Sequence, residues 1–287
     1  MSFEKSQECE KKAEIYSSKI LKSDEKIGYV KFAGLDEPQE VRYVEVDGLA
    51  IMQGDIIIGK ADEMITKTQD TSPPFTFLRE LGKKWPGGVV PYMIASDLPQ
   101  PERVHQAIQH WHSNTIIKLV PRTNEQNYIY FVKGDGCSSD IGMRGGQQVI
   151  TLGSGCEVGS AIHEIGHALG MFHEQCAPNR DEYIEIRWEN IEEKFKYNFE
   201  ITTWQEAVTY GPYDYSSIMH YGRYGFSKNG QPTIVPKIDV EIGQRRGLSQ
   251  GDIQGINSLY GNQADNDITF PVRQLDVAAA DPSRPQI

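Results

Sequence analysis

The chain predicts an α+β fold built around a metal-binding helix, and three observations carry that expectation. From Val89 to Leu169 the signals run strand, helix, several short strands, helix. Past His173 regular periodicity thins out, which points to a second, irregular half. Between the two lies HEIGHALGMFH, residues 163–173, which fits the pattern H-E-x-x-H-x-x-G-x-x-H.

The elements follow in order. Glu8 to Lys22 is charged, with Ala13, Ile15, Ile20 and Leu21 interspersed, and predicts an amphipathic helix. Val41 to Val46 alternates as a strand does, and Ile51 to Ile58 reads as a strand interrupted by a Gly54-Asp55 turn. Asp70 to Pro74, DTSPP, has the composition of a linker and closes a first unit of residues 1–71. A second unit, residues 72–262, follows. Val89 to Ile94 is its first clear strand, with Pro91 pointing to an edge or irregular position. Pro101 to Asn114 is a helix that places Val104, Ala107, Ile108 and Trp111 on one face. Ile116 to Val120, Tyr128 to Val132 and Val149 to Leu152 are strand-like, and Asp135 to Gly146 is Gly-rich. Gly159 to Leu169 is the metal helix. Trp188 to Phe199 is expected to be helical, and Thr209 to Gly230 an ordered loop crowded with Gly, Tyr and Ser. Leu248 to Tyr260 is the last helix, with Ser249 as its N-cap. Residues 263–287 carry no core pattern and are expected to form a flexible tail. No internal repeat is found.

The motif has a direct chemical reading. His163 and His167 are four apart, so a helix turns both imidazoles the same way. Gly170 can take the positive φ that ends the helix and returns His173 as a third ligand. Three neutral imidazoles suit one zinc ion and leave a position for water, whose pKa zinc lowers to near ~7. Glu164, beside the first ligand, can take that proton and pass it to a leaving amine.

Bulk properties narrow the alternatives. Hydrophobic content of 38% and charged content of 24% support a globular core. A net charge of −11 argues against nucleic-acid binding. Four cysteines, Cys9, Cys137, Cys156 and Cys176, are too few for a disulfide scaffold and lack C-x-x-C spacing. No stretch is apolar enough to span a membrane, and MSFEKSQECEKK has no signal-peptide h-region. A leader was removed, export takes another route, or the chain stays inside the cell.

Four segments together carry a family resemblance. HEIGHALGMFHEQ followed by NRDEYI, then YDYSSIMHYGRYGFSKNG, then IGQRRGLSQGDIQGINSLYG, resemble the astacin family of metzincin zinc endopeptidases, from about Trp85 to Tyr260. The resemblance implies a twisted, mostly parallel sheet with an antiparallel edge strand and two helices in an upper half. The irregular lower half ends in the C-terminal helix. It implies that His163, His167 and His173 bind zinc and that Glu164 is general base and then acid. Met219 would form an apolar floor beneath the metal. Tyr221 would be a further zinc ligand that swings away to hydrogen-bond the oxyanion, a role suited to a phenol donor. His220, His105, His110 and His112 read as non-ligands.

The same resemblance extends to latency and specificity. Residues 1–71 would be a propeptide, and Met52-Gln53-Gly54-Asp55 is similar to the family's F-x-G-D, whose aspartate occupies the water site on zinc. Glu174 would contact the new amino terminus after a cut near Thr68 to Thr76. Ser139 to Met143, including Ile141, would be the edge strand that pairs with an extended substrate. Arg245 would line the pocket just after the scissile bond and favour acidic residues there. Cys137 and Cys156 match the family's small disulfide, closing a loop of about twenty residues worth ~3 kcal/mol. With no cysteine after Cys176, the last helix is expected to hold by packing alone. Cys176 and Ala177 depart from the family's H-E-Q-x-R, and Cys9 pairs with Cys176, ligates zinc, or stays free. The expected partners are protein or peptide substrates and the propeptide itself, acting on a secreted monomer. A catalytically silent zinc-binding module on the same fold is the competing reading. A non-peptidase zinc hydrolase is disfavoured by the Met219 turn.

Overall fold

The computed structural model describes residues 17–33, 35, 37–64, 80–81, 83–202 and 211–261. Cys9, most of the helix expected over Glu8 to Lys22, the DTSPP linker, the expected cut region and the tail lie outside the described residues.

The upper half matches its expectation except at Pro91, which lies in an inner strand with a paired neighbour on each side and not at an edge. Strands β6 (Val89–Ile94), β7 (Lys118–Pro121), β8 (Tyr128–Val132) and β10 (Gln147–Leu152) are parallel, in the order β10-β8-β6-β7. Strand β9 (Cys137–Asp140), from within the Gly-rich stretch, pairs antiparallel with β10. Helices α1 (Glu102–Asn114) and α2 (Val158–Ala168) pack on this sheet. Val104, Ala107, Ile108 and Trp111 of α1 meet Ala161, Ile162 and Ile165 of α2, with Ile129, Phe131 and Ile150 beneath them. The Trp111 indole donates to Ile162 O at 3.2 Å and locks the helix pair. Arg103 is buried and donates to the carbonyls of Leu152, Gly153 and Cys156, which ties α1 to the loop leading into α2.

The first unit does not stand apart. Strands β1 (Glu25–Phe32), β2 (Gln39–Val46), β3 (Leu49–Met52) and β4 (Ile56–Lys60) form an antiparallel meander. The interrupted strand expected over Ile51 to Ile58 is the β3–β4 hairpin, with Gln53, Gly54 and Asp55 in its loop. β4 then pairs parallel with β9, Ile56 opposite Ser139 and Ile57 opposite Asp140, so one ten-stranded sheet runs through both units. Alternation along β4 divides its side chains. Ile56 and Ile58 join Val30, Phe32, Met52 and Ile141 on one face, and Ile57 joins Ile20, Val44 and Tyr197 on the other. At the far edge β5 (Glu80–Leu81) pairs parallel with β1.

The lower half holds β11 (Ile184–Ile186) paired with β12 (Ile234–Pro236), and α3 (Gln250–Gly261). The helix expected over Trp188 to Phe199 consists of 3₁₀ turns, Trp188–Asn190 and Glu193–Phe199. Phe195, Tyr197 and Phe199 are all buried there, and the aromatic cluster dictates the path instead of one amphipathic stripe. Ser249 caps α3 as expected: its Oγ accepts from Asp252 N, and Asp252 Oδ2 accepts from Ser249 N, each at 2.9 Å. Ile256, Leu259 and Tyr260 enter the main core, and the Tyr260 hydroxyl adds a hydrogen bond to Leu169 O at 3.0 Å.

Candidate metal centre

α2 brings the His163 and His167 rings to 4.6 Å between centroids. The helix ends where Gly170 adopts φ 103° and donates its N–H to His167 O at 2.8 Å. The chain then extends, and the His173 ring lies 5.3 Å from that of His163 and 4.7 Å from that of His167. All three are buried. Each Nδ1 is held by an oxygen: Ile218 O for His163 at 2.8 Å, Met171 O for His167 at 2.7 Å, and Gln53 Oε1 for His173 at 3.1 Å. Those contacts place the proton on Nδ1 and leave Nε2 as the free lone pair. Burial depresses His163 to about 3 and His173 to about 4, so both are neutral, as ligands must be.

The three Nε2 atoms are buried and have no hydrogen-bond partner among the described residues. Asp55 sits among them. Its carboxylate oxygens lie 3.4 Å from His163 Nε2, 3.5 Å from His167 Nε2 and 3.3 Å from His173 Nε2. Four ligands on a tetrahedral zinc with bonds of about 2.05 Å are separated by about 3.3 Å. The cluster of Asp55, His163, His167 and His173 therefore fits zinc in donor type, orientation and spacing. Glu164 is buried beside it, and its Oε2 also has no hydrogen-bond partner among the described residues. Burial pushes the Glu164 carboxyl well above the usual carboxylate range, and the charge of Asp55 pushes the same way.

The floor is built by the 217–221 turn. A Cβ on Gly166 of α2 would fall 2.8 Å from Met219 Sδ, so Met219 lies directly under the metal helix. Asp252 secures the turn by accepting from Ile218 N at 2.9 Å and Ser217 Oγ at 2.7 Å. The Tyr221 ring stands 4.6 Å from that of His173, and its hydroxyl donates to Gln53 O. His220 is structural, with Tyr213 Oη on Nε2 and Tyr221 O at Nδ1. His110 and His112 accept from the N–H groups of Leu248 and Leu119, consistent with non-ligands. The Arg245 guanidinium donates to His220 O at 3.0 Å and is close enough for its charge to act on His163 and Glu164. Glu174 Oε1 accepts from Asp214 N at 2.8 Å, and burial raises its carboxyl to about 7. Cys176 is a buried thiol pushed up to about 12 by burial, with Sγ 3.4 Å from Asn198 O and outside the four-residue metal cluster.

Cys137 and Cys156 are disulfide-bonded, clamping β9 to the start of α2. β9 ends at Asp140, before Ile141 and Met143: Ile141 is buried in the cluster with Met52 and Ile56, and Met143 bridges Lys83. Ser139 N donates to Asp55 O at 3.0 Å, so the edge of β9 is already taken by the first unit. Gln53, Asp252 and Gln175, whose Oε1 accepts from Tyr221 N at 3.0 Å, escaped the sequence reading. For Asp252 a signal existed, since it stands three residues after the Ser249 cap. Gln175 is the glutamine of the H-E-Q-x-R stretch that carries the resemblance, whereas Gln53 carried no signal.

A mixed sheet over a helix–turn that gathers three histidines and a glutamate defines a zinc hydrolase scaffold of the metzincin type. The family profile of the Astacin peptidases matches residues 77–261, and the chain belongs to that family. Blastula protease 10 of Paracentrotus lividus is 41% identical over 192 residues, covering 62% of this chain and 32% of that protein. Zinc metalloproteinase nas-8 of Steinernema carpocapsae is 42% identical over 194 residues, covering 65% and 46%. The match thus spans 32% and 46% of the length of these two curated relatives. The solved structure of high choriolytic enzyme 1, a hatching enzyme zinc-protease from Oryzias latipes, is 42% identical with a TM-score of 0.57, covering 63% of this chain and 94% of that one.

Proposed function

We propose that this chain is a latent zinc-dependent endopeptidase. The observation that carries the reading is the seating of Asp55 among His163, His167 and His173, beside Glu164. Zinc at that position supplies a Lewis acid for the scissile carbonyl and acidifies the attacking water. Glu164, buried beside that position, takes the proton from the water and delivers it to the leaving amine. Tyr221 donates a hydrogen bond to the developing oxyanion once its hydrogen bond to Gln53 O is released. The substrate is a protein or peptide that lies extended along β9 at Ser139, with Ile141 and Met143 flanking it. Arg245 disposes the site toward acidic residues just after the scissile bond.

Residues 1–71 act as propeptide, 72–262 as peptidase and 263–287 as tail. Asp55 blocks the metal while β4 covers the edge of β9. A cut between residues 68 and 76 lifts the block, and Glu174 receives the new amino terminus. The enzyme works as a monomer with no nucleic-acid or membrane partner; no described helix is long and apolar enough to cross a membrane. The Cys137–Cys156 bond supports secretion, since disulfides persist in oxidising compartments. Casein hydrolysis after controlled cleavage of the first unit tests the reading. Activity should be blocked by a chelator and absent in Glu164→Ala. A cleaved, zinc-loaded chain that stays inert would favour a silent interaction module.

A further inference from the structure

We propose that Gln53 is a positioning residue of the metal centre in the uncut chain. Its amide oxygen holds His173 in the tautomer and ring orientation that turn Nε2 to the metal. His163 and His167 are oriented by main-chain carbonyls, Ile218 O and Met171 O, that lie inside the family-matched segment. His173 is oriented differently. Its Nδ1 faces Gln53 Oε1 at 3.1 Å, a side chain 120 positions upstream and outside that segment.

The local backbone is built for this contact. Gln53 has φ 47°, a left-handed conformation that is uncommon for a residue with a side chain of this kind. That turn directs the Gln53 carbonyl to the Tyr221 hydroxyl while the buried side chain reaches His173. Two groups of the metal site therefore hang on one residue of the β3–β4 loop. A ligating imidazole needs an acceptor for its other N–H, and such an acceptor fixes the ring and raises its basicity. Gln53 supplies that acceptor, so the first unit contributes to metal retention beyond the carboxylate of Asp55. Given the propeptide reading, cleavage takes away both, and the processed chain holds zinc less tightly than its precursor.

The test is zinc release from the full-length uncut chain to a chromophoric chelator, with the visible spectrum of the cobalt(II)-substituted protein alongside. Gln53→Met keeps the volume and removes the acceptor; Gln53→Glu keeps an acceptor oxygen. Gln53→Met should release zinc ~10-fold faster or more and shift the cobalt bands, while Gln53→Glu retains zinc at least as well as wild type. Wild-type release and spectrum in Gln53→Met would overturn the assignment. So would equally fast loss from Gln53→Glu, which would make the effect one of packing. Casein hydrolysis by the cleaved wild-type chain, assayed in parallel, separates the two ideas. A cleaved, zinc-loaded chain that stays inert sinks the endopeptidase reading and leaves the Gln53 result standing.

Discussion

Replacing Asp252 by alanine should damage the metal centre without touching it. Asp252 is buried and accepts three hydrogen bonds, from Ile218 N, Ser217 Oγ and Ser249 N. Hydrogen bonds to a charged group contribute about 1.5–3 kcal/mol each, so the gross loss is large. Part of it is returned, because burial already holds this carboxyl above its usual range and its desolvation is relieved on removal. Ser249 and Ser217 can find other partners more easily than Ile218, which is fully buried and keeps an orphaned N–H. A net cost of about 3 kcal/mol follows. At a urea slope of about 2 kcal/mol per M, the unfolding midpoint falls by about 1.5 M. Ile218 O is also the group that orients His163, so zinc content of the folded variant should fall. Urea titration by circular dichroism, with metal analysis on the same samples, reads both. A midpoint within about 0.3 M of wild type, with full zinc, would refute the reasoning.

Other perturbations probe single links. Glu164→Gln should bind zinc stoichiometrically while hydrolysis by the processed chain falls about 10³-fold; more than a tenth of wild-type activity would remove Glu164 from proton transfer. Tyr221→Phe keeps the aromatic packing against His173 and Phe199, so kcat of the processed chain should fall about 10²-fold with little change in KM. A parallel rise in KM would mark Tyr221 as a packing residue. Gly159→Ala places a Cβ 1.8 Å from Arg245 O, a clash between two main chains that no rotamer relieves. It should cost about 3 kcal/mol or more, and an unchanged melting temperature would show that the 245 segment yields freely.

Legibility in the sequence followed the range of the interaction. The 3.6-residue period puts His163 and His167 on one face, and the glycine at 170 carries the left-handed φ its position demands. The buried face of α1 and the Ser249 cap are equally local, and both appear where expected. Trp188 to Phe199 departs from the expected helix because its aromatics are buried in several directions at once, so no single stripe describes them. Asp55 is reachable only through resemblance, since a Gly-Asp pair alone reads as a turn. Its place beside His173 depends on a β4–β9 pairing across more than eighty residues.

From the sequence alone came the chemistry: three imidazoles, a glutamate, a helix and a turn, all within residues 163–173 and governed by backbone geometry over a few residues. The tertiary structure alone decided what surrounds that chemistry. It joined two units in one sheet, set Asp55 at 3.3 Å from His173 Nε2 and hung the third ligand on Gln53. Such contacts come from loop closure and sheet register across the whole chain, and no local periodicity encodes them.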